Sequence, residues 1–527
     1  MTSSTRSRLT AALWLSAAAW VIFLFSTHSA YGVTWDEPDW FLYGETQRQW
    51  LLDWSTTRPL NDPRDFFHYG TLPSLAAATG RWLFHDATGL LPVNQAWHTA
   101  NLLFSLILTA GLLVWSRSTL GTRGAIWTMV IWAAWPRLWP DWHNNISDLP
   151  GAALSLWAAW AAWRCAEDPE GRWRDYIRLG VLFGLAYSCR APNVPALAGA
   201  IGVWLGCLRL LGRQWPRRMA LGVVAAVAVA LLTVKVANPA FWHRSVLLQV
   251  FYLDPKAIAR SGIGYTILWF GGELYRSRAV PWFYAPYVFL ISTPPALLVV
   301  LSASAIRAAA SIRRVPPFVL LWLILGACSV GKHVLGMGNY DGVRHFLEAF
   351  APLTLFAAWG VEQWWSQQTA RGWRPSAIAT AAAVMIALGV SLVSAARIHP
   401  YQTGYFNVFA GRLESAWNRF EFDYFGQGLL DASEWMKREV GDRPATVHVP
   451  FVGHVMDWYL PSNFTIRGEG TPEMIGAATS GDWMVLANRK SRLIRSNLEF
   501  ACPTGWTLVH EARAAEDLPP AALICRR

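Results

Sequence analysis

A chain of 527 residues is long enough for several soluble domains, but 54% hydrophobic residues, 33 tryptophans and only 15% charged residues exclude a wholly soluble protein. The net charge of +11 does not point to a nucleic-acid partner, because Lys and Arg fall in short clusters between apolar runs rather than along one helix or tail. The six cysteines include no C-x-x-C pair and no cysteine–histidine spacing suited to zinc, which leaves a polytopic α-helical membrane protein as the expected class.

Apolar runs lie near 11–29, 96–115, 125–140, 150–163, 178–189, 194–208, 219–235, 286–304, 316–331, 346–361 and 375–395, about eleven in all. Several are shorter than the roughly 20 residues of a full span, so tilted or merged spans are expected. The first follows Arg6 and Arg8 and precedes "THSA", as a signal peptide would, but ten further runs favour an uncleaved first helix. Basic residues resist translocation, so Arg6/Arg8, Arg117/Arg123, Arg164/Arg172/Arg174/Arg178, Arg209/Arg213/Arg217/Arg218, Arg307/Arg313/Arg314 and Arg371/Arg374 mark cytoplasmic loops. With the N-terminus inside and an odd number of spans, segments 30–95, 141–149, 236–285 and 332–345 and the tail from about 397 share the other side.

The first of those segments opens "YGVTWDEPDWFLYGE". Thr34 and Glu37 have capping-box spacing and Pro38 suits a first turn, so a helix starts here. Over 38–54 it places Trp40, Tyr43, Trp50, Leu51 and Trp54 near one face, as in an interfacial helix lying on the membrane. Asp36 and Glu37 then sit at headgroup depth, where partial desolvation suits a base or a ligand.

A second acidic stretch, "WPRLWPDWHNNISDLPG", carries His143, Asn144, Asn145 and Asp148. Asp148 is either the N-cap of the next helix or a second acid facing Asp36 across a cavity, suited to a divalent cation or to orienting a hydroxyl. On the same side fall Arg190, Arg276, Arg278, Lys332, His333, Arg344 and His345, which are either snorkelling side chains or the cations that a lipid phosphate needs. Acids to activate an acceptor beside cations to hold a phosphate make a transferase arrangement. The alternative is a transporter or flippase of lipid-linked sugars, but transporters tend to place their charges at the bilayer midplane on broken helices.

The tail, 397–527, has a helical stretch "LLDASEWMKREV" and short β-like runs "ATVHVPF", "DWMVLAN", "GWTLVHE" and "AALICRR", hence a small α/β domain outside the membrane. Cys502 and Cys525 are expected to pair there, in an oxidising compartment. The expected division is 1–396, a transmembrane domain with interfacial helices in loop 30–95, and 397–527, the outer domain.

Taken in order, these motifs resemble one family. "TWDEPDWFLYGE", "HYGTLPSL", "PRLWPDWHNNISDLP", "AVPWFYAPYVFLISTPP", "NYDGVRHFLEAFAPL", "HPYQTGYFNVFAG" and "FEFDYFGQGLLDASEW" are similar to the successive motifs of the GT-C membrane glycosyltransferases, specifically the protein O-mannosyltransferase and aminoarabinose-transferase-like group. The resemblance implies an inverting transfer of a sugar from a polyprenyl-phosphate donor to a hydroxyl of a lipid, glycan or protein acceptor at the outer face of a bacterial inner membrane, with the C-terminal domain periplasmic. It implies Asp36 as catalytic base, with Glu37 and Asp148 as its acidic companions. Arg344 and His345, with Arg190 and Lys332, would surround the donor phosphate, and His68, Tyr69, His143, Asn145, Tyr340 and Asp341 would line the substrate cavity. "WPDWH" in place of Phe-Gly-His, Ser147 in place of Lys and Ser74 in place of Pro depart from the family pattern and bear on which sugar and acceptor are used.

Overall fold

The computed structural model describes residues 3–53, 70–168, 170–239, 242, 266–335, 339–411, 413–468, 475, 476 and 478–527. The apolar runs lie in helices α1 (Ser3–Ser26), α4 (Val93–Ala133), α5 (Leu149–Glu167), α6 (Trp173–Arg190), α7 (Val194–Leu210), α8 (Met219–Ala237), α9 (Tyr284–Ser292), α10 (Pro295–Ala310), α11 (Pro317–Val334), α12 (Phe350–Ala370) and α13 (Arg374–Arg397). Two further helices, α2 (Glu37–Leu52) and α3 (Leu72–Arg81), stand between α1 and α4. Among the described residues six helical stretches are long and apolar enough to cross a membrane, and a seventh, α9 with α10, is bent by 117° at Thr293–Pro294.

Two of those six stretches each hold two of the expected runs. Helix α4 has 41 residues, about 60 Å if straight and twice the hydrocarbon thickness of a bilayer. Gly121 breaks it with φ 75°, a left-handed conformation that costs glycine nothing. Asn101 Nδ2 donates to the His143 carbonyl at 2.9 Å and Ser105 Oγ to the Trp142 carbonyl at 2.8 Å. These carbonyls follow the end of the helix by only some ten residues, so the second half must double back along the first. Helices α6 and α7 are likewise one apolar stretch, interrupted at Ala191–Asn193.

Burial orders the bundle. The apolar window of α4 is 61% buried, against 17% for those of α1, α8 and α13, so α4 is central and the other three form the rim. Large apolar side chains such as Ile22, Val224, Leu232 and Ile386 stand exposed on that rim, where only lipid suits them.

The C-terminal part is a five-stranded sheet of β3 (Ala445–His448), β4 (Phe464–Arg467), β5 (Trp483–Ala487), β6 (Thr507–Ala512) and β7 (Ala522–Arg526) in the order β4-β3-β5-β7-β6. Strands β4, β3 and β5 run parallel, and β7 pairs antiparallel with β5 and β6. Helix Gly428–Val440 covers it, so the expected helix and four β-like runs are all present. The short edge strand β4 and a hairpin of β1 (Ile267–Phe270) with β2 (Glu273–Arg276) are not among the expected elements. Four-residue strands carry too little alternation to be distinguished from loop. Cys502 and Cys525 form a disulfide.

Helix α2 departs from expectation. Its aromatic face does not lie on lipid: Trp40, Phe41, Tyr43 and Trp50 are buried, Trp40 and Phe41 in one core with Ala77, Trp97, Leu429, Met436, Val447 and Val455. A helical stripe of aromatics signals a face to be covered, and here the sheet domain and α3 cover it. Leu51 is half-buried, and Trp54 lies outside the described residues. Gly44 lets α2 touch α3 so closely that a methyl group there would overlap the Ser74 carbonyl. Gly44→Ala is therefore expected to destabilise the protein by about 1–3 kcal/mol through overpacking, read as a lower midpoint of thermal unfolding in detergent.

Candidate active site

The acids of "TWDEPDW" sit at the start of α2, at the end of an irregular strap, residues 31–36, that is held from several sides. Tyr31 Oη donates to Gln402 Oε1 at 3.0 Å, the Gly32 amide to Gln427 Oε1 at 3.1 Å, and Asn144 Nδ2 to the Gly32 carbonyl at 2.9 Å. The Val33 amide donates to Tyr459 Oη, and His454 Nε2 donates to the Trp35 carbonyl at 2.7 Å. Gln427, His454 and Tyr459 all belong to the C-terminal part, so that part grips the strap directly.

Half of the expected capping box is present. The Thr34 amide donates to Glu37 Oε2 at 2.7 Å, but the Thr34 hydroxyl turns to Asp36 Oδ1 at 2.8 Å, and Asp36, at the N-cap position, caps nothing with its side chain. The two acids consequently point apart. Glu37 is fully buried against His98 Nε2 at 3.1 Å, and burial pushes its carboxyl up from the usual range. Asp36, with 22% of its side chain exposed, faces Arg344, whose Nη1 lies 2.8 Å from its Oδ2. Burial would raise its pKa, but the charge and hydrogen bonds of Arg344 and the Thr34 hydroxyl hold it below the ordinary carboxylate value.

Arg344 is bound at both nitrogens, since its Nη2 lies 2.8 Å from Asp341 Oδ2. Asp341 and Gly342 make a left-handed turn, with φ 52° and 66°, that aims the carboxylate back at Arg344. The other oxygen of Asp341 meets Arg489 Nη2 at 2.7 Å, and Arg489 Nη1 donates to the Tyr424 carbonyl at 2.8 Å. The Trp35 ring stands between the two guanidiniums, 5.9 Å from Arg344 and 5.1 Å from Arg489.

The second acid, Asp148, occupies the N-cap position of α5 without capping it. Its Oδ1 meets Arg190 Nη2 at 2.8 Å, and its Oδ2 accepts from the Ser147 hydroxyl at 3.1 Å. Arg190 Nη2 also lies 3.5 Å from His345 Nδ1. His345 is half-buried beside the Tyr340 ring, and desolvation with the nearby cations Arg344 and Arg190 holds its pKa well below the ordinary value, so it is neutral. Asp36, Arg344 and Asp341 thus form one group and Asp148, Arg190, His345 and Tyr340 a second, and the Arg344 guanidinium, 5.5 Å from the Tyr340 ring, joins the two.

Other expected residues are placed differently. Lys332 pairs with Glu348 and donates to Asn193 Oδ1 at 3.2 Å, so its charge is already matched. His143, stacked on Tyr31 with ring centroids 4.4 Å apart, donates from Nδ1 to the Trp139 carbonyl at 2.7 Å; burial lowers its pKa to about 3, so it is a neutral prop whose Nε2, 3.0 Å from the Thr27 hydroxyl, carries no proton. Asn145 donates to Asp141 Oδ1 at 2.6 Å and accepts from the Asp148 amide at 2.9 Å. Arg276 and Arg278 stand exposed at the end of the Glu273–Arg276 strand, while His68 and Tyr69 lie outside the described residues. A divalent cation does not fit the donor set: Asp36 and Asp148 are each taken by an arginine, and among the described residues no three metal-ligating side chains converge.

Four participants escaped the sequence reading. Glu348 lies within an apolar run, where a carboxylate is itself a signal. Asp141, whose carboxyl burial pushes up to about 7, stands inside a motif already singled out. Arg489 and Glu421, from the tail, look like ordinary surface charges in sequence.

Residues 82–237 match the family model of dolichyl-phosphate-mannose-protein mannosyltransferases. No curated protein matches the chain in sequence. The structure is similar to that of ArnT from Cupriavidus metallidurans in the apo state, with a TM-score of 0.52 and 14% identity over 98% of this chain and 98% of that one. It is equally similar to ArnT from the same organism bound to undecaprenyl phosphate, with a TM-score of 0.52 and 14% identity over 97% of each chain. The chain therefore shares the fold of ArnT along nearly its whole length, and its residues 82–237 match the mannosyltransferase family model.

Proposed function

We propose that this protein transfers a sugar, with inversion, from a polyprenyl-phosphate donor to an acceptor hydroxyl. The observation that carries this is the contact between Asp36 and Arg344, a carboxylate and a phosphate-binding cation 2.8 Å apart at the end of a membrane helix bundle. Asp36 takes the proton of the acceptor hydroxyl as its oxygen attacks the anomeric carbon. The bond from that carbon to the phosphate oxygen breaks, and polyprenyl phosphate leaves with the electron pair. Arg344, with Arg190 and neutral His345 as neighbours, stabilises the departing charge through fixed donors, which need no reorganisation at the moment of reaction.

The companions have supporting parts. Glu37, tied to the Thr34 amide and to His98, fixes the helix start that aims Asp36. Asp148 holds Arg190 toward His345. Tyr340 and Asp341 contact Arg344, Asn145 braces the Asp148 amide, His143 props the strap at Tyr31, and Lys332 acts through Glu348.

The matched mannosyltransferase model and the fold shared with ArnT, a protein solved with undecaprenyl phosphate, favour a polyprenyl-phosphate donor and a lipid, glycan or protein acceptor. The run of basic loops puts the N-terminus in the cytoplasm, hence the site and the domain from 397 on the periplasmic face of an inner membrane. The Cys502–Cys525 disulfide supports that side, because such bonds persist in oxidising compartments.

In membranes supplied with labelled polyprenyl-phosphate sugar, Asp36→Asn is expected to lower transfer about 10²–10⁴-fold while the folded protein still accumulates. Turnover near wild type removes Asp36 as the base, and label crossing the bilayer without reaching any acceptor favours a transporter. Orientation has its own check. A membrane-impermeant thiol reagent added after mild reduction should label the half-buried Cys502 in intact spheroplasts, and labelling only after the membrane is opened reverses the topology.

A further inference from the structure

Arg344 is held at one nitrogen by Asp341 and at the other by Asp36, and Asp341 in turn is held by Arg489. Arg489 is fully buried, and it also donates to the Tyr424 carbonyl and lies 3.7 Å from Glu421. Glu421 accepts from the Ser491 hydroxyl and amide. A row of alternating charges, Asp36, Arg344, Asp341, Arg489 and Glu421, therefore runs from the strap after the first membrane helix into the C-terminal part, where Arg489 follows strand β5.

We propose that Arg489 is a positioning residue: by gripping one oxygen of Asp341 it leaves the other to anchor Arg344 at Nη2, so that Nη1 is free to pass from Asp36 to an incoming lipid phosphate. This rests on the reading of Arg344 as the phosphate-binding cation. Asp341 has two oxygens and each faces one guanidinium, 2.7 and 2.8 Å away. Without Arg489 both oxygens compete for Arg344. The guanidinium is then drawn onto Asp341 in a two-pronged pair and away from Asp36. The same loss leaves three acids and one cation in the row, which weakens anion capture at Arg344. The C-terminal domain thus completes the site without touching the substrate.

The test is binding of undecaprenyl phosphate to the purified full-length protein in detergent, as a double-mutant cycle on Arg344 and Arg489. Arg344→Gln and Arg489→Gln are each expected to weaken binding about tenfold, the scale of one lost charge-assisted contact. The double variant should bind within about twofold of Arg344→Gln alone, because Arg489 acts through Arg344. A purely structural role gives losses that multiply, and that result overturns the proposal, as does wild-type binding by Arg489→Gln. Arg489→Lys, which keeps the charge but loses the fork, is expected to lose about threefold and replaces Arg489→Gln in the cycle if the latter does not fold. If Arg344→Gln itself binds as wild type, the phosphate assignment fails and takes this proposal with it. If only the Arg489 arm is silent, the phosphate assignment stands.

Discussion

The charged groups at the site are almost all taken out of water, and this constrains the rest of the structure. Arg344, Asp341 and Arg489 are each at most 4% exposed in their side chains. A buried ion is tolerable only when its partner is in place with good geometry, and removing one partner of such a pair typically costs about 3–5 kcal/mol. Alternation of sign along Asp36, Arg344, Asp341, Arg489 and Glu421 meets that demand only if the first loop, the turn at 339–344 and the tail are brought together. The site and the docking of the C-terminal domain are in this sense one interaction.

Helix ends supply the places where these groups meet. Backbone polar groups inside a bilayer must be satisfied within helices, so charged side chains collect where helices stop. Asp36 precedes α2, Asp148 precedes α5, Arg190 ends α6, and Arg344 lies ten residues after the end of α11 (344 − 334). The reversal of α4 at Gly121 returns the chain so that the segment carrying His143 and Asp148 lies beside Asn101 and Ser105, on the same side as Asp36. Breaks in the helices are therefore what assemble the polar cluster, and apolar packing between α1, α4 and α12 holds it at a fixed place.

Much of the architecture was legible because hydrophobic runs and basic loops act locally and along the chain. The runs at 96–115 and 125–140 were read as two spans, and one broken helix contains both. Asp36, Arg344, Asp148 and Arg190 were singled out from motif position and side, and direct ion pairs join them two by two. Other readings failed where the partner decides. The aromatic face of α2 had the right period for a membrane surface, yet it packs on protein. Periodicity reveals that a face must be covered and does not name the cover. The pairing of Lys332 with Glu348, 16 residues on in the chain, is likewise a partner that its own neighbourhood does not name.

By itself the sequence determined a helical membrane protein, the helix start at "TWDEPDW", the composition of the acidic and basic segments and the small sheet domain of the tail. Each of these follows from patterns within a few turns of helix or strand. Only the tertiary structure decided which acid meets which cation. Glu37 turns inward to His98 while its neighbour Asp36 turns to Arg344, and Arg489, 148 residues beyond Asp341 in the chain, closes the row. The reason is that a carboxylate's role depends on the charge within about 4–6 Å of it, and that distance is set by packing between distant segments rather than by neighbours in sequence.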